Sequence, residues 1–272
     1  MLPERQNTFT QKRTRETLNQ TFAEISRPDR GVYDQAAVSQ VKALVFDTFG
    51  TVVDWRSSLI LELSAFGQQR GISADWSRLV DEWRAAYYPS MDRVRKGDQP
   101  WTTLDTLHRQ SLDRLAASFG LASLSSEDLD ELTTAWHRLQ VWPDVPEGMR
   151  RLATRYFLGP LSNANVSLLV RLRKFCGLPW DVIFGADLWQ RYKPDPEPYQ
   201  GACRLLGLHP NEVMLVAAHN YDLGAARIQG LCTGFFARPS EYGPRQTKDL
   251  RAEGPWTVVA LDLQDLATLL GT

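Results

Sequence analysis

The segment VKALVF, residues 41–46, runs without interruption into DTFGT, residues 47–51. A β-branched and apolar run of this length reads as a buried parallel strand, and such a strand delivers the polar residue that follows it to the carboxyl edge of its sheet. Asp47 is thereby expected at a strand-to-loop junction. In open α/β sheets ligands bind beyond those carboxyl ends, so Asp47 fixes where a site should be sought.

The rest of the chain is consistent with such a sheet. From about Ser58 to Gln140 it shows helical periodicity and caps, as in SADWSRLVDEWRAAYY and SSEDLDELTTAWHRL, with no convincing strand. After VWPDVPEGM, strand candidates alternate with helical segments: YFLGPLSN, DVIFGADL, EVMLVAAH, CTGFFAR and TVVALDL. This order predicts an α/β fold with a helical insertion after the first strand. The expected layout is a core domain at residues 39–57 and 141–272, a helical domain at 58–140, and a polar appendage at 1–38, flexible or docked. The residues ending the strand candidates should converge: Asp47, Ser162 with Asn163, Asp187, and His219 to Asp222. Six of the nine tryptophans (Trp55, Trp76, Trp83, Trp101, Trp136, Trp142) lie in or beside the insertion, and packing within it is their first expected role.

Composition narrows the partners. With 31 Lys+Arg against 32 Asp+Glu, the net charge of -1 gives no basic field for nucleic acid or an anionic membrane. An anionic substrate must therefore be held by local groups. Cys176, Cys203 and Cys232 are odd in number and far apart, without CxxC or zinc-type spacing, and are expected as thiols in a reducing compartment. The opening residues are too polar for a signal peptide and no apolar run reaches spanning length, which predicts a soluble cytoplasmic protein.

Five segments in order, FDTFGT, WRAAYY, LSN, YKPDPEPY and HNYD, resemble the haloacid dehalogenase superfamily, and within it the type II L-2-haloacid dehalogenases. The resemblance spans about Val41 to Leu263. It implies a Rossmann-like parallel sheet core with a helical cap, and hydrolysis of a small 2-halocarboxylate, fluoroacetate among the candidates, through an ester on Asp47. It also implies a homodimer.

The resemblance implies a role for each residue, and the chemistry of the side chains is compatible with it. Asp47 is ionised at neutral pH and is the expected nucleophile. Lys193 would keep it ionised and oriented without a metal. Thr51 and Tyr199 would support the nucleophile and the lysine through hydrogen bonds. Ser162, with the backbone N–H groups of Thr48 and Phe49, would hold the substrate carboxylate, as a helix N-terminus can also do. Arg84, assisted by Asn163, would meet the departing halide, with Arg56 a competing anion-binding candidate. Asp222 would activate the water that cleaves the ester at the Asp47 carbonyl.

Two positions separate the chain from the superfamily's phosphatases. Phe49 stands where they carry the second Asp that protonates an alcohol leaving group, and halide needs no such proton. AAHNYD supplies only Asp222 where they present neighbouring acidic groups to magnesium, a poor set for a hard cation. No metal and no cofactor is expected. Ala217, Ala218 and His219 replace polar residues of the family pattern, leaving His219 either an assistant to the water or a structural residue. The rival readings are a magnesium-dependent phosphatase or phosphonate hydrolase, and a non-catalytic scaffold binding a carboxylate or a protein.

Overall fold

The computed structural model describes residues 30–272; most of the appendage expected at residues 1–38 lies outside them. Among the described residues the strands are β1 (Gly31–Val32), β2 (Ala43–Phe46), β3 (Val53–Asp54), β4 (Gln140–Val141), β5 (Phe157–Ser162), β6 (Phe184–Gly185), β7 (Val213–Ala217), β8 (Cys232–Phe235) and β9 (Val258–Val259). Seven of them form one sheet in the order β1-β9-β8-β7-β2-β5-β6. It is parallel except at its β1 edge. β2 lies between β5 and β7, with Phe46 opposite Pro160 on one side and Val216 on the other. The chain's connectivity switches across this strand, so Asp47 leaves the sheet at the crevice that doubly wound folds use for ligands.

Alternation along β2 explains why its side chains are apolar throughout. Leu44 and Phe46 face one core, Ala43 and Val45 the other, and all four are buried. Each large aliphatic side chain buried in this way contributes about 1.5–3 kcal/mol relative to exposure. With helices on both faces, no position in the strand remains for a polar residue until the chain emerges at Asp47.

The helices are α1 (Gln35–Gln40), α2 (Trp55–Arg70), α3 (Trp76–Ala85), α4 (Tyr87–Arg95), α5 (Leu104–Ala116), α6 (Ser126–Thr133), α7 (Val145–Leu152), α8 (Val166–Cys176), α9 (Pro196–Leu206), α10 (Asn220–Ile228) and α11 (Leu263–Leu269). α2 to α6 form the insertion between β3 and β4. α2 begins at Trp55, earlier than periodicity suggests, because Asp54 accepts the Ser57 N–H as its cap. α3 is capped by Asp75 and not by the upstream Ser73, whereas α6 carries the expected Ser125–Asp128 capping box. α7 and α11 pack on the Leu44 and Phe46 face, α9 and α10 on the other.

Two elements escape the hydrophobic pattern. β1 brings residues 31–32 of the expected appendage onto the sheet edge beside β9. β3 and β4 pair where the chain enters and leaves the insertion, Val53 opposite Val141. Among the described residues no helix is long and apolar enough to cross a membrane, and Cys176, Cys203 and Cys232 are free thiols.

Candidate active site

Asp47 follows β2 directly, its N–H donating to Val216 O at 3.0 Å. Its two carboxylate oxygens are held differently. Oδ1 accepts from Lys193 Nζ at 3.0 Å; Oδ2 accepts from Thr51 Oγ1 at 2.9 Å and meets His219 Nδ1 at 2.9 Å. Thr51 is itself fixed from β7, since its Oγ1 accepts the Ala218 N–H at 2.9 Å. A backbone donor thus serves at a position whose side chain is only a methyl group.

Lys193 joins the two acids of the site. Its ammonium contacts both Asp47 Oδ1 and Asp222 Oδ2, and Tyr199 donates its hydroxyl to Asp222 Oδ1 at 2.6 Å. The lysine's backbone N–H donates to Asn163 Oδ1 at 2.7 Å. Burial opposes ionisation of Asp47, but the Lys193 ammonium and the His219 N–H hold its carboxyl well below the usual range. Burial raises Asp222, against the attraction of Lys193. Asp47 has two further donors and Asp222 only one, so a proton taken up by the pair goes to Asp222.

His219 lies between two carboxylates, with Nε2 2.9 Å from Glu241 Oε2. An ionised carboxylate has no proton to give, so both ring nitrogens donate and the ring is an imidazolium. Burial works against that cation, yet Glu241 and Asp47 push its pKa up to about 10. Glu241, in the loop after β8, accepts from Trp55 Nε1 through its other oxygen at 3.0 Å. Gly50 makes room for this carboxylate: its φ is +89°, and a Cβ there would fall 2.2 Å from Glu241 Oε1.

Arg84, on α3, is 6% exposed, and its Nε and Nη1 have no hydrogen-bond partner. Its guanidinium carbon lies 4.1 Å from the Tyr87 ring centroid and 5.2 Å from that of Trp55. A cavity of about 310 Å³ lies beside it, lined by Trp55, Asp81, Tyr88, Tyr242 and Lys248 among others. Arg56 is already paired, at 2.7 Å and 2.9 Å to Asp81. Of the two arginines named as anion binders, the structure leaves Arg84 available.

Phe49 packs edge-on against Trp136, Tyr87 and His108, with ring centroids 5.5, 6.4 and 6.5 Å away. Thr48 Oγ1 is buried without a partner. Ser162 Oγ accepts the Ala164 N–H at 3.2 Å, which leaves its own hydroxyl proton free to donate.

A sequence profile for haloacid dehalogenase-like hydrolases matches residues 41–228, the span from β2 through α10 that carries Asp47, Lys193 and Asp222. The chain belongs to the haloacid dehalogenase-like hydrolases. Within them it is 30% identical to the (S)-2-haloacid dehalogenase 4A of Burkholderia cepacia over 75% of this chain and 88% of that one. Among solved structures it resembles the L-2-haloacid dehalogenase PA0810, at 53% identity and a TM-score of 0.83, covering 85% of this chain and 98% of that one. It also resembles the defluorinating L-2-haloacid dehalogenase Rha0230, at 44% identity and a TM-score of 0.84, covering 90% and 100%. The superfamily and branch expected from the five segments are those the comparisons return.

Not every residue of this haloacid dehalogenase-like hydrolase sits where its motif suggests. Tyr199, expected to support the nucleophile and the lysine, is fully buried and gives its hydroxyl to Asp222, the acid that holds the lysine. Asn163, grouped with the halide, binds the Lys193 backbone through its oxygen. Asp187 accepts the Val166 N–H at 2.9 Å and caps α8 without touching Asp47 or Lys193. Glu241, Trp55 and Trp136 join the site without having been singled out as site residues. The signal for Glu241 was its place just beyond the strand candidate CTGFFAR, on the same carboxyl edge as Asp47.

Proposed function

We propose that this protein hydrolyses small L-2-haloacids to D-2-hydroxy acids through an aspartyl ester on Asp47, with the α2 to α6 insertion serving as the cap. The observation that carries the reading is the Lys193 ammonium seated against both Asp47 and Asp222. A magnesium ion bridging those acids would compete with the ammonium for their oxygens, and the Phe49 side chain offers it no oxygen ligand. The residues present do not fit a phosphatase's metal, whereas a carboxylate kept ionised by a lysine is suited to displacing halide from carbon.

The contacts support the following steps. The substrate carboxylate docks on the Ser162 hydroxyl and the backbone N–H groups of Thr48 and Phe49. Asp47 attacks C2 from the face opposite the halogen, the C–O bond forming as the carbon–halogen bond breaks. Halide leaves toward Arg84, whose unpartnered nitrogens accept the charge that develops there, with the Asn163 amide nearby. Water then gives a proton to Asp222 and adds to the Asp47 carbonyl carbon. Collapse expels the product alkoxide, which takes that proton back, and Asp47 ionises to begin again. Inversion occurs once, at C2. The likeness to a defluorinating relative supports including fluoroacetate. Free thiols support a reducing cytoplasm, and the family resemblance supports a homodimer.

A single turnover in oxygen-18 water, with enzyme in excess over L-2-chloropropionate, tests this reading. Label belongs in the peptide containing Asp47, and the hydroxy acid should carry little. Label entering the hydroxy acid at once would mean direct attack by water and end the ester mechanism. Loss of halide release on exhaustive chelation, restored by magnesium, would end the metal-independent assignment.

A further inference from the structure

The two oxygens of Asp47 are not equivalent. A carboxylate oxygen offers about two in-plane lone pairs. On Oδ2 both are taken, by Thr51 Oγ1 and by His219 Nδ1, each at 2.9 Å. On Oδ1 Lys193 takes one and the other is open. Only Oδ1 has an electron pair to give to C2, so Oδ1 becomes the bridging oxygen of the ester and Oδ2 the carbonyl oxygen.

The geometry points to His219, braced by Glu241, as the electrophile for ester cleavage: with Thr51 it forms the oxyanion site that takes up the charge arising on Asp47 Oδ2. This rests on the aspartyl-ester reading above and adds a role to it. As water adds to the carbonyl carbon, the π electron pair moves onto Oδ2, where the His219 N–H and the Thr51 hydroxyl already point. When the intermediate collapses, the pair returns and the bond from the carbon to Oδ1 breaks. His219 keeps its proton throughout, so the proton of the water goes to Asp222 alone.

Glu241 is a positioning residue in this scheme, since it touches His219 and not the reacting atoms. Three observations show that the fold holds it there. Its side chain is almost wholly buried, its second oxygen is bound by Trp55 Nε1, and Gly50 in the nucleophile's own loop leaves the space it fills. Esterification removes the charge of Asp47, and Glu241 is then the carboxylate still in contact with His219. The Tyr221 ring, tilted 5.9 Å from the imidazole centroid, is the other neighbour facing it.

Rapid-quench kinetics on L-2-chloropropionate separate the two chemical steps, halide appearing with the ester and hydroxy acid with its hydrolysis. In Glu241→Gln the halide burst should stay within a few-fold of wild type while hydrolysis slows by about 10-fold or more, up to the ~10²-fold typical of losing one oxyanion donor outright. The acyl adduct should then accumulate on the Asp47 peptide. In the wild type, hydrolysis should be level through neutral pH and fall as His219 loses its proton. In Glu241→Gln that limb should move down by about 1–2 pH units, as expected when a contacting carboxylate is removed. A hydrolysis rate that rises with pH, showing a neutral imidazole acting as base, overturns the inference, as does a Glu241→Gln variant that hydrolyses its adduct at the wild-type rate. Should the variant fail to fold, the direction of the wild-type limb decides alone. Absence of any adduct in the wild type sinks the ester reading itself, a result distinct from these.

Discussion

The Arg84 guanidinium lies 4.1 Å from the Tyr87 ring centroid, buried, with Nε and Nη1 unpartnered. The face of an aromatic ring attracts a cation, but it does not replace the hydrogen bonds that burial removes. A small anion arriving at those nitrogens would supply them. Arg84→Ala should therefore slow the halide burst by about 10²–10³-fold, as for loss of a donor aimed at developing charge, while hydrolysis of preformed ester is little affected. Arg84→Lys should not rescue it, because one ammonium cannot reproduce the planar fork. Arg56→Ala, which breaks only the pairing with Asp81 and Ser77, should keep wild-type turnover.

Lys193→Met removes the charge that holds the Asp47 carboxyl low. Burial then pushes that carboxyl upward. Displacement needs the ionised form, so the sign is fixed: residual halide release in the variant should rise with pH through the neutral range, where the wild type is level. A level profile in Lys193→Met would mean that Thr51 and His219 alone keep Asp47 ionised.

Gly50→Ala would impose two penalties at once. A φ of +89° is strained for alanine, and the new methyl would fall 2.2 Å from Glu241 Oε1. We expect a loss of stability of more than about 1 kcal/mol in urea unfolding, together with slowed ester hydrolysis as Glu241 is driven off His219. A loss of stability with unchanged hydrolysis would separate the backbone strain from Glu241.

His108 is buried against Trp136, ring centroids 4.0 Å apart, with neither ring nitrogen partnered. Burial keeps it neutral, its pKa pushed down to about 3. Replacing an unsatisfied polar ring by an apolar one of similar shape removes a desolvation cost of about 1–3 kcal/mol. His108→Phe should therefore unfold at higher urea than the wild type, and a lower midpoint would show that the imidazole has a partner in solution.

Much of the core and of the site was legible because two signals coincide. The run ending at Phe46 is apolar for packing reasons, and the polar residue after it has to emerge at the rim, so the strand and the carboxylate that ends it are read together. Lys193 and Asp222 were legible through motif order. Glu241 was not: its local sequence, SEYGP, reads as an ordinary loop, and its partners Trp55 and His219 are brought to it only by the sheet. β1 was hidden for a different reason. Two residues paired on a sheet edge leave no periodic pattern.

The pairing of Val53 with Val141 bears on how substrate gets in. Because the outgoing and returning segments are zipped together, the insertion is attached to the sheet at a single joint and not by two separate strings. Arg238 pins that joint from the side, donating to Thr51 O at 3.1 Å and gripping Asp144 at 2.7 and 2.9 Å. If the insertion opens, helices tethered in this way are expected to move as one body, breaking the contacts of Arg95 with Asp195 and of Asp105 with Asn165. Arg84 would then leave and return with Trp83 and Tyr87 as a unit, so the proposed halide receptor and the walls around it would be assembled or dismantled in the same movement.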